Sequence, residues 1–287
     1  MWDKAKPYVM IAPAMILIFL FTILPLIQLF EFSLFNYNLM NPSISKYIGF
    51  DNYANVFRRK DFWDATYNTL HFTAVTLVLN LVGAILFAYW LRKGTKMNRL
   101  TLAGIYTPSV ISVVSISMIW MMLLNPTSGV INFLLKSVGL PTSTFLQSSD
   151  TALQTVEFVG AWQSVGYNAV ILAGAMQSID KSIYEAALLD RSSKFRTLTN
   201  ITIPMISPQI FLLIINITIA SFKVFETVNI MTNGGPNGST TTLVYYIYNY
   251  RTTNIGYAAV VGIIMMAIIA IFTSVYFKIT EKYVHYR

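Results

Sequence analysis

The side chains able to do chemistry are sparse in this chain, and their types exclude most of it. There is no cysteine and there are two histidines, His71 and His285, far apart in sequence. That leaves no thiolate nucleophile, no disulfide framework and no cluster of sulfur or imidazole ligands for a metal. No Gly-x-x-x-x-Gly-Lys-Ser/Thr run occurs, so the loop that cradles nucleotide phosphates is missing too. What remains are hydrogen-bonding groups set inside apolar runs: Trp162, Gln163, Ser164, Tyr167 and Asn168 in one, Asn216, Ser221 and Lys223 in the next. A compact stretch from Ile183 to Arg196 then mixes Ala and Leu with charge. No catalytic residue and no metal site is expected, and the chain does not read as an enzyme.

These groups need elements to hold them, and the composition says which. Hydrophobic residues make up 55% of the 287 and charged ones 11%, against roughly 25% charged in soluble domains. So little charge cannot coat a soluble core, and the apolar excess must face lipid or a partner. About 20 apolar residues cross a hydrocarbon layer of about 30 Å. Six runs qualify, at about 8–30, 69–91, 103–124, 156–179, 206–225 and 257–277. The expectation is an all-α membrane protein forming one domain over 1–287. The first run follows Lys4 and Lys6 but exceeds a signal-peptide core, and no A-x-A site follows it. Pro13 and Pro25 should kink it. The fourth run, diluted by Gln163, Ser164, Asn168 and Gln177, should be shielded from lipid.

Lys and Arg set orientation. Thirteen lie in the termini and the connections after the second and fourth runs; seven lie in the other connections. Both termini are therefore expected in the cytoplasm. The net charge of +8 then reads as a membrane-orientation signal, with no need for a nucleic-acid partner. Of the outer connections, the last carries a turn cluster from Asn233 to Gly238.

The cytoplasmic connection at about 180–203 is unusual for a loop. Tyr184 to Leu189 consists of helix formers, so a short helix is expected, either lying at the lipid surface or filling a groove in another protein. Glu185-Ala186-Ala187-x-x-Asp190, followed by Phe195, Ile201-Thr202-x-Pro204 and Pro208, resembles the EAA loop of the membrane subunits of bacterial ATP-binding cassette importers. The resemblance implies a type I importer permease fold. In it a coupling helix formed by Glu185, Ala186, Ala187, Leu188, Asp190, Arg191 and Phe195 docks into a separate ATPase. Arg191 departs from the family pattern, which has Gly there. Gly adopts positive φ freely, whereas Arg does so at a cost.

Further motifs narrow the class. Phe222 to Val228, Met231-Thr232-Asn233-Gly234-Gly235-Pro236, Thr241 to Tyr248 and Gly256-Tyr257-Ala258 resemble the first of the two permeases in sugar importers of the maltose, multiple-sugar and glycerol-phosphate type. Ile48-Gly49-Phe50-Asp51-Asn52-Tyr53 matches the same family in the first outer loop. This implies a subunit of the bacterial cytoplasmic (inner) membrane, paired with a second permease. Its further partners would be two ATPase subunits that bind ATP and Mg, and an extracytoplasmic sugar-binding protein. No cofactor is implied in this chain. Ser164, Tyr167 and Ser221 match positions that touch substrate in the family, and Phe222 and Lys223 are grouped with them. The bland alternative is helix packing: Gln163, Asn168 and Asn216 bonding neighbouring helices, His71 and Asn80 packing without a carboxylate partner, and Lys223 snorkelling beside Glu226. A gradient-driven secondary carrier is the rival function.

Overall fold

The structure, a computed structural model, describes residues 2–38, 42–92 and 95–281. Lys93, Lys282, His285 and Arg287, which enter the sequence reading, lie outside them. The chain divides into two compact units, Met1–Trp63 with Leu243–Ile268, and Asp64–Thr242 with Ile269–Arg287.

The first unit begins with α1 (Trp2–Ile18) and α2 (Leu24–Leu34), joined by one π-helical turn at Phe19–Ile23. The wide turn falls just before Pro25, which has no N–H and would clash with the preceding turn of a regular helix. The apolar window of this run is wholly uncovered. A two-stranded antiparallel ribbon follows, β1 (Phe35–Asn36) against β2 (Lys46–Tyr47), with Phe35 opposite Tyr47. This small β element was not anticipated. Next come α3 (Asp51–Arg58) and, from the end of the chain, α14 (Leu243–Tyr250) and the start of α15 (Ile255–Glu281). Two of the sequence motifs meet here. Buried Asn52 donates through Nδ2 to the Ser33 carbonyl at 2.9 Å and the Phe35 carbonyl at 3.0 Å. A Cβ on Gly256 would come within 2.9 Å of that same Phe35 oxygen. Both motifs are therefore packing devices.

The second unit holds most of α4 (Lys60–Leu91), then α5 (Lys96–Val110), α6 (Val113–Leu123), α7 (Val130–Ser137) and α8 (Ala152–Gln177). After these come α9 (Lys181–Leu189), α10 (Lys194–Thr197), a π turn at Leu198–Thr202, α11 (Ile203–Met205), α12 (Ser207–Phe222) and α13 (Glu226–Met231). Small residues let its helices approach closely. Ala84, Ala88, Ala169 and Ala173 are buried with Leu172, Met176, Leu213 and Ile217 in one core cluster. A Cβ on Gly166 of α8 would overlap the Ile105 carbonyl of α5.

Among the described residues four helical runs are long and apolar enough to cross a membrane, and the α5–α6 pair, bent by 103°, makes a fifth if it is one span. The third expected span, about 103–124, is thus two helices rather than one. Pro108 lies inside α5, and Ile111 and Ser112 are extended. The chain can break there because α8 takes up the freed groups: Gln163 Nε2 donates to the Ile111 carbonyl at 3.4 Å, and Ser109 Oγ donates to the Gln163 carbonyl at 2.7 Å. With 26 residues at 1.5 Å each, about 39 Å, α8 is the sixth helix long enough to cross. Its polar residues keep its hydropathy down, as expected of a shielded helix.

Candidate functional site

Helices α4, α8 and α12 surround a cavity of about 480 Å³ in the second unit. Its centre is Asn80, fully buried on α4. The Asn80 amide donates to the Thr76 carbonyl of its own helix at 3.1 Å. Its Oδ1 accepts from Ser164 Oγ and from Asn168 Nδ2, both at 3.0 Å. One side chain thus orients two polar residues of α8, each facing the cavity. Tyr167 stands on the same helix and lines the cavity, 52% exposed. From α12 the walls receive Asn216 and Ser221. The Thr76 hydroxyl, buried on α4 at the cavity wall, has no hydrogen-bond partner among the described residues. Such a site offers hydroxyl and amide donors and acceptors around an aromatic face.

Of the candidate substrate residues, Ser164, Tyr167, Ser221 and Lys223 all line this cavity. Phe222 does not; it is 3% exposed and turned into the packing. Gln163 and Asn168 bond neighbouring helices, as expected, yet line the cavity as well. Asn216 lines it without an interhelical bond. Lys223 requires a correction. The sequence suggests Glu226 as its partner one helical turn on, but α12 ends at Phe222 and α13 begins only at Glu226. With Val224 and Phe225 outside both helices the i, i+3 relation is lost. No ion pair forms between them, and both face the cavity. A second correction concerns His71, expected to lack an acidic neighbour. Its Nδ1 is 2.7 Å from Oε1 of Glu157, whose side chain is 1% exposed near the start of α8.

The second assembly of candidate residues is α9. Asp180 caps it, accepting from the Ser182 N–H at 2.8 Å, and that bond holds the Asp180 carboxyl below the usual aspartate range. One face is seated. Ile183 and Tyr184 pack on the core cluster, Ala187 is 6% exposed, and the Tyr184 hydroxyl lies 3.3 Å from Thr202 Oγ1. The opposite face is bare: Glu185, Ala186 and Asp190 are exposed, Leu188 and Leu189 are 74% and 84% exposed, and Phe195 beyond the turn is 75% exposed. The helix ends in a Schellman motif. Ser192 N–H donates to the Ala187 carbonyl at 2.9 Å and Arg191 N–H to the Leu188 carbonyl at 3.0 Å. Arg191 occupies the left-handed position at φ +51°. The left-handed turn for which the resemblance implies glycine is therefore made here by arginine.

A helical bundle of apolar spans with a polar cavity and a short seated helix uncovered on one side suits a membrane transport protein. Comparison with known proteins agrees. The family described as "Binding-protein-dependent transport system inner membrane component" matches residues 72–285, and the chain belongs to it. It is 30% identical over 284 residues to the sn-glycerol-3-phosphate transport system permease protein UgpA of Escherichia coli (strain UTI89 / UPEC), covering 98% of this chain and 96% of that one. It is 27% identical over 273 residues to the trehalose/maltose transport system permease protein MalF of Thermococcus litoralis, covering 95% and 92%. Among solved structures it is similar to a chain of a bacterial alginate ABC transporter in complex with an alginate pentasaccharide-bound periplasmic protein. That likeness has TM-score 0.84 and 24% identity, and covers 96% and 95% of the two chains. A second alginate importer structure matches with TM-score 0.82 and 23% identity, covering 97% and 99%. At these identities the structures establish the fold, that of an ABC transporter permease. Binding-protein-dependent transport is ATP-driven import, so the gradient-driven carrier is set aside.

Asn80 is the cavity residue that sequence reasoning undervalued, and Glu157, the partner of His71, went unnoticed. Their partners lie more than 80 residues away. The one local signal was a polar side chain on an apolar run.

Proposed function

We propose that this chain is the first permease of a sugar importer in a bacterial cytoplasmic membrane, with both termini in the cytoplasm, acting with a second permease, two ATPase subunits and an extracytoplasmic sugar-binding protein. The names of its relatives support the cargo class, since they transport sn-glycerol-3-phosphate and trehalose or maltose. Sugar hydroxyls would bond Ser164, Asn168 and Ser221, and a sugar C–H face would lie on Tyr167. Phe222 would hold that wall from behind, and Lys223 and Glu226 would meet the more polar end of the cargo. ATP and Mg would be bound by the ATPase subunits, and no cofactor by this chain.

The observation that carries the mechanism is the two-sided character of α9. Its inner residues grip the bundle while Glu185, Leu188 and Leu189 face outward, so a displacement imposed from outside reaches the ends of α8 and α12 as a rigid push. ATPase closure acting there would open the cavity to the extracytoplasmic side, and hydrolysis would reset it. Glu185→Ala combined with Leu189→Asp should cut sugar uptake by about tenfold or more while leaving membrane insertion and the thermal unfolding of the chain unchanged, since exposed positions contribute little to stability. Sugar-stimulated ATPase activity equal to wild type in the purified complex would overturn this role.

A further inference from the structure

A second cavity, of about 590 Å³, opens at the end of the bundle that carries α9, distinct from the polar cavity between α4, α8 and α12. Three cations from three elements line it: Arg92 just after α4, Lys181 at the start of α9 and Lys194 at the start of α10. Among the described residues no Asp or Glu lines it. None of the three cations makes an ion pair among the described residues. Asp180, beside Lys181 in sequence, is committed to the Ser182 N–H.

Arg92 is the anchor. Its guanidinium lies 4.1 Å from the centre of the Tyr89 ring and 5.1 Å from that of Tyr184. Two aromatic faces thus fix its plane with no carboxylate spending its donors. Arg92, Lys194 and Tyr89 also line an adjoining cavity of about 180 Å³. Ser192 adds a hydroxyl: it accepts from Thr197 Oγ1 at 3.2 Å, which leaves its own proton free to donate into the larger cavity. Like charges gathered in one concavity repel unless an anion sits among them. A preset guanidinium fork, two ammonium groups and a free hydroxyl match the several oxygens of a phosphate group. Met176 and Ile179 supply an apolar wall for whatever the phosphate is attached to.

We infer that this cavity binds a phosphate-bearing anion, held by Arg92, Lys181 and Lys194 and bridging the root of α9 to the end of α4. The chemistry is shared by a free phosphate compound and by the headgroup of an acidic phospholipid, because the cations stand at the ends of apolar spans where headgroups lie. The inference does not depend on the cargo, although Leu188 of the outward face of α9 also lines this cavity.

The test uses the full chain, co-purified with whatever subunits accompany it, in two kinds of nanodisc. In discs of phosphatidylcholine alone, inorganic phosphate is titrated and binding followed by the thermal shift. In discs doped with phosphatidylglycerol, lipid retained on the protein is counted by native mass spectrometry. Wild type should respond in at least one arm, and the responding arm tells free anion from headgroup. Arg92→Gln and Lys194→Gln should each weaken that response by about tenfold, as loss of one charge-assisted hydrogen bond does. Lys136→Gln, on α7 and outside the cavity, should not. Lys194 is exposed, so its variant reports binding even if loss of Arg92 disturbs the fold. The inference fails if wild type responds in neither arm or if Lys136→Gln loses as much as Lys194→Gln. It fails equally if the variants keep both responses and instead shed an accompanying subunit, which would make the cavity a protein contact.

Discussion

In the polar cavity, Asn80 gathers Ser164 and Asn168 and the α8 side chain of Gln163 closes the break between α5 and α6, whereas on α9 and α10 the side chains of Leu188, Leu189 and Phe195 are largely exposed. The first region pairs the side-chain amides of Asn80, Gln163 and Asn168 within the chain, and among the described residues leaves the Thr76 hydroxyl open. The second leaves its apolar groups unsatisfied although burying each would gain on the order of 1.5–3 kcal/mol. Polar groups at membrane depth have no water to fall back on and must be paired before anything else binds. A short helix outside the membrane has water, and can wait for a partner. The contrast teaches which properties belong to this chain alone and which appear only in an assembly.

Breaking the self-sufficient region should have the largest effect. Gly166→Leu drives a side chain into the Ile105 carbonyl where α5 crosses α8. It should destabilise the chain by about 3 kcal/mol or more, seen as a lowered unfolding temperature and loss of a monodisperse species. Gly174→Leu lies on the same helix but meets nothing within 4 Å, so it should stay within about 0.5 kcal/mol of wild type. Equal unfolding temperatures for the two would refute the packing of α5 on α8. Next in size is Asn80→Leu. Ser164 keeps a bond to the Gly160 carbonyl, but Asn168 loses its acceptor in a buried place, at about 1–3 kcal/mol. Uptake should show a raised KM as the α8 side chains lose their orientation. A variant with unchanged KM and unchanged unfolding would remove Asn80 from the centre of the cavity.

These two regions were unequally legible in the sequence. The α9 segment was readable because its helix formers are local: Tyr184 to Leu189 form the short helix expected of them, whereas its cap Asp180 was not read, and Arg191 holds the positive φ that glycine adopts freely. The spans were readable as apolar runs, and the polarity of α8 foretold its shielding. The cavity was readable only as a list of polar residues. Whether Gln163 bonds a neighbouring element or lines the cavity depends on where the chain breaks near Ile111, and it does both. The pairing of His71 with Glu157 bridges 86 positions and has no periodic signature. The expected Lys223–Glu226 pair failed because it assumed a helix to continue through Val224 and Phe225, whose apolar side chains gave no sign of a stop.

On α9 the effects should be smaller and should not depend on the cavity. Arg191→Gly removes the cost of holding a side chain at φ +51° and should stabilise the end of the helix by about 1 kcal/mol, offset in part by the freer unfolded chain. The amide to watch is that of Ser192, bonded to the Ala187 carbonyl. Its hydrogen exchange should slow by about fivefold at most, the equivalent of 1 kcal/mol. Arg191→Val should speed it instead, because a β-branched residue tolerates this conformation worst. If glycine and valine act alike, the turn is held by something other than the Schellman geometry.

The smallest expected change comes from protonating the cap of the same helix. The Ser182 N–H holds the Asp180 carboxyl below its usual range. A carboxylate with a depressed folded-state pKa contributes stability that is present above its unfolded value, near 3.9, and is lost as pH falls through the folded value. Exchange protection of the Ser182 amide, corrected for intrinsic exchange, should therefore be flat at neutral pH and fall only on the acid side of that value. Asp180→Asn keeps an oxygen acceptor without the titration and should flatten the profile, while Asp180→Ala should lower protection at every pH. Protection that falls with acid in the Asn variant as it does in wild type would show that some other carboxylate near the root of α9 governs its fraying.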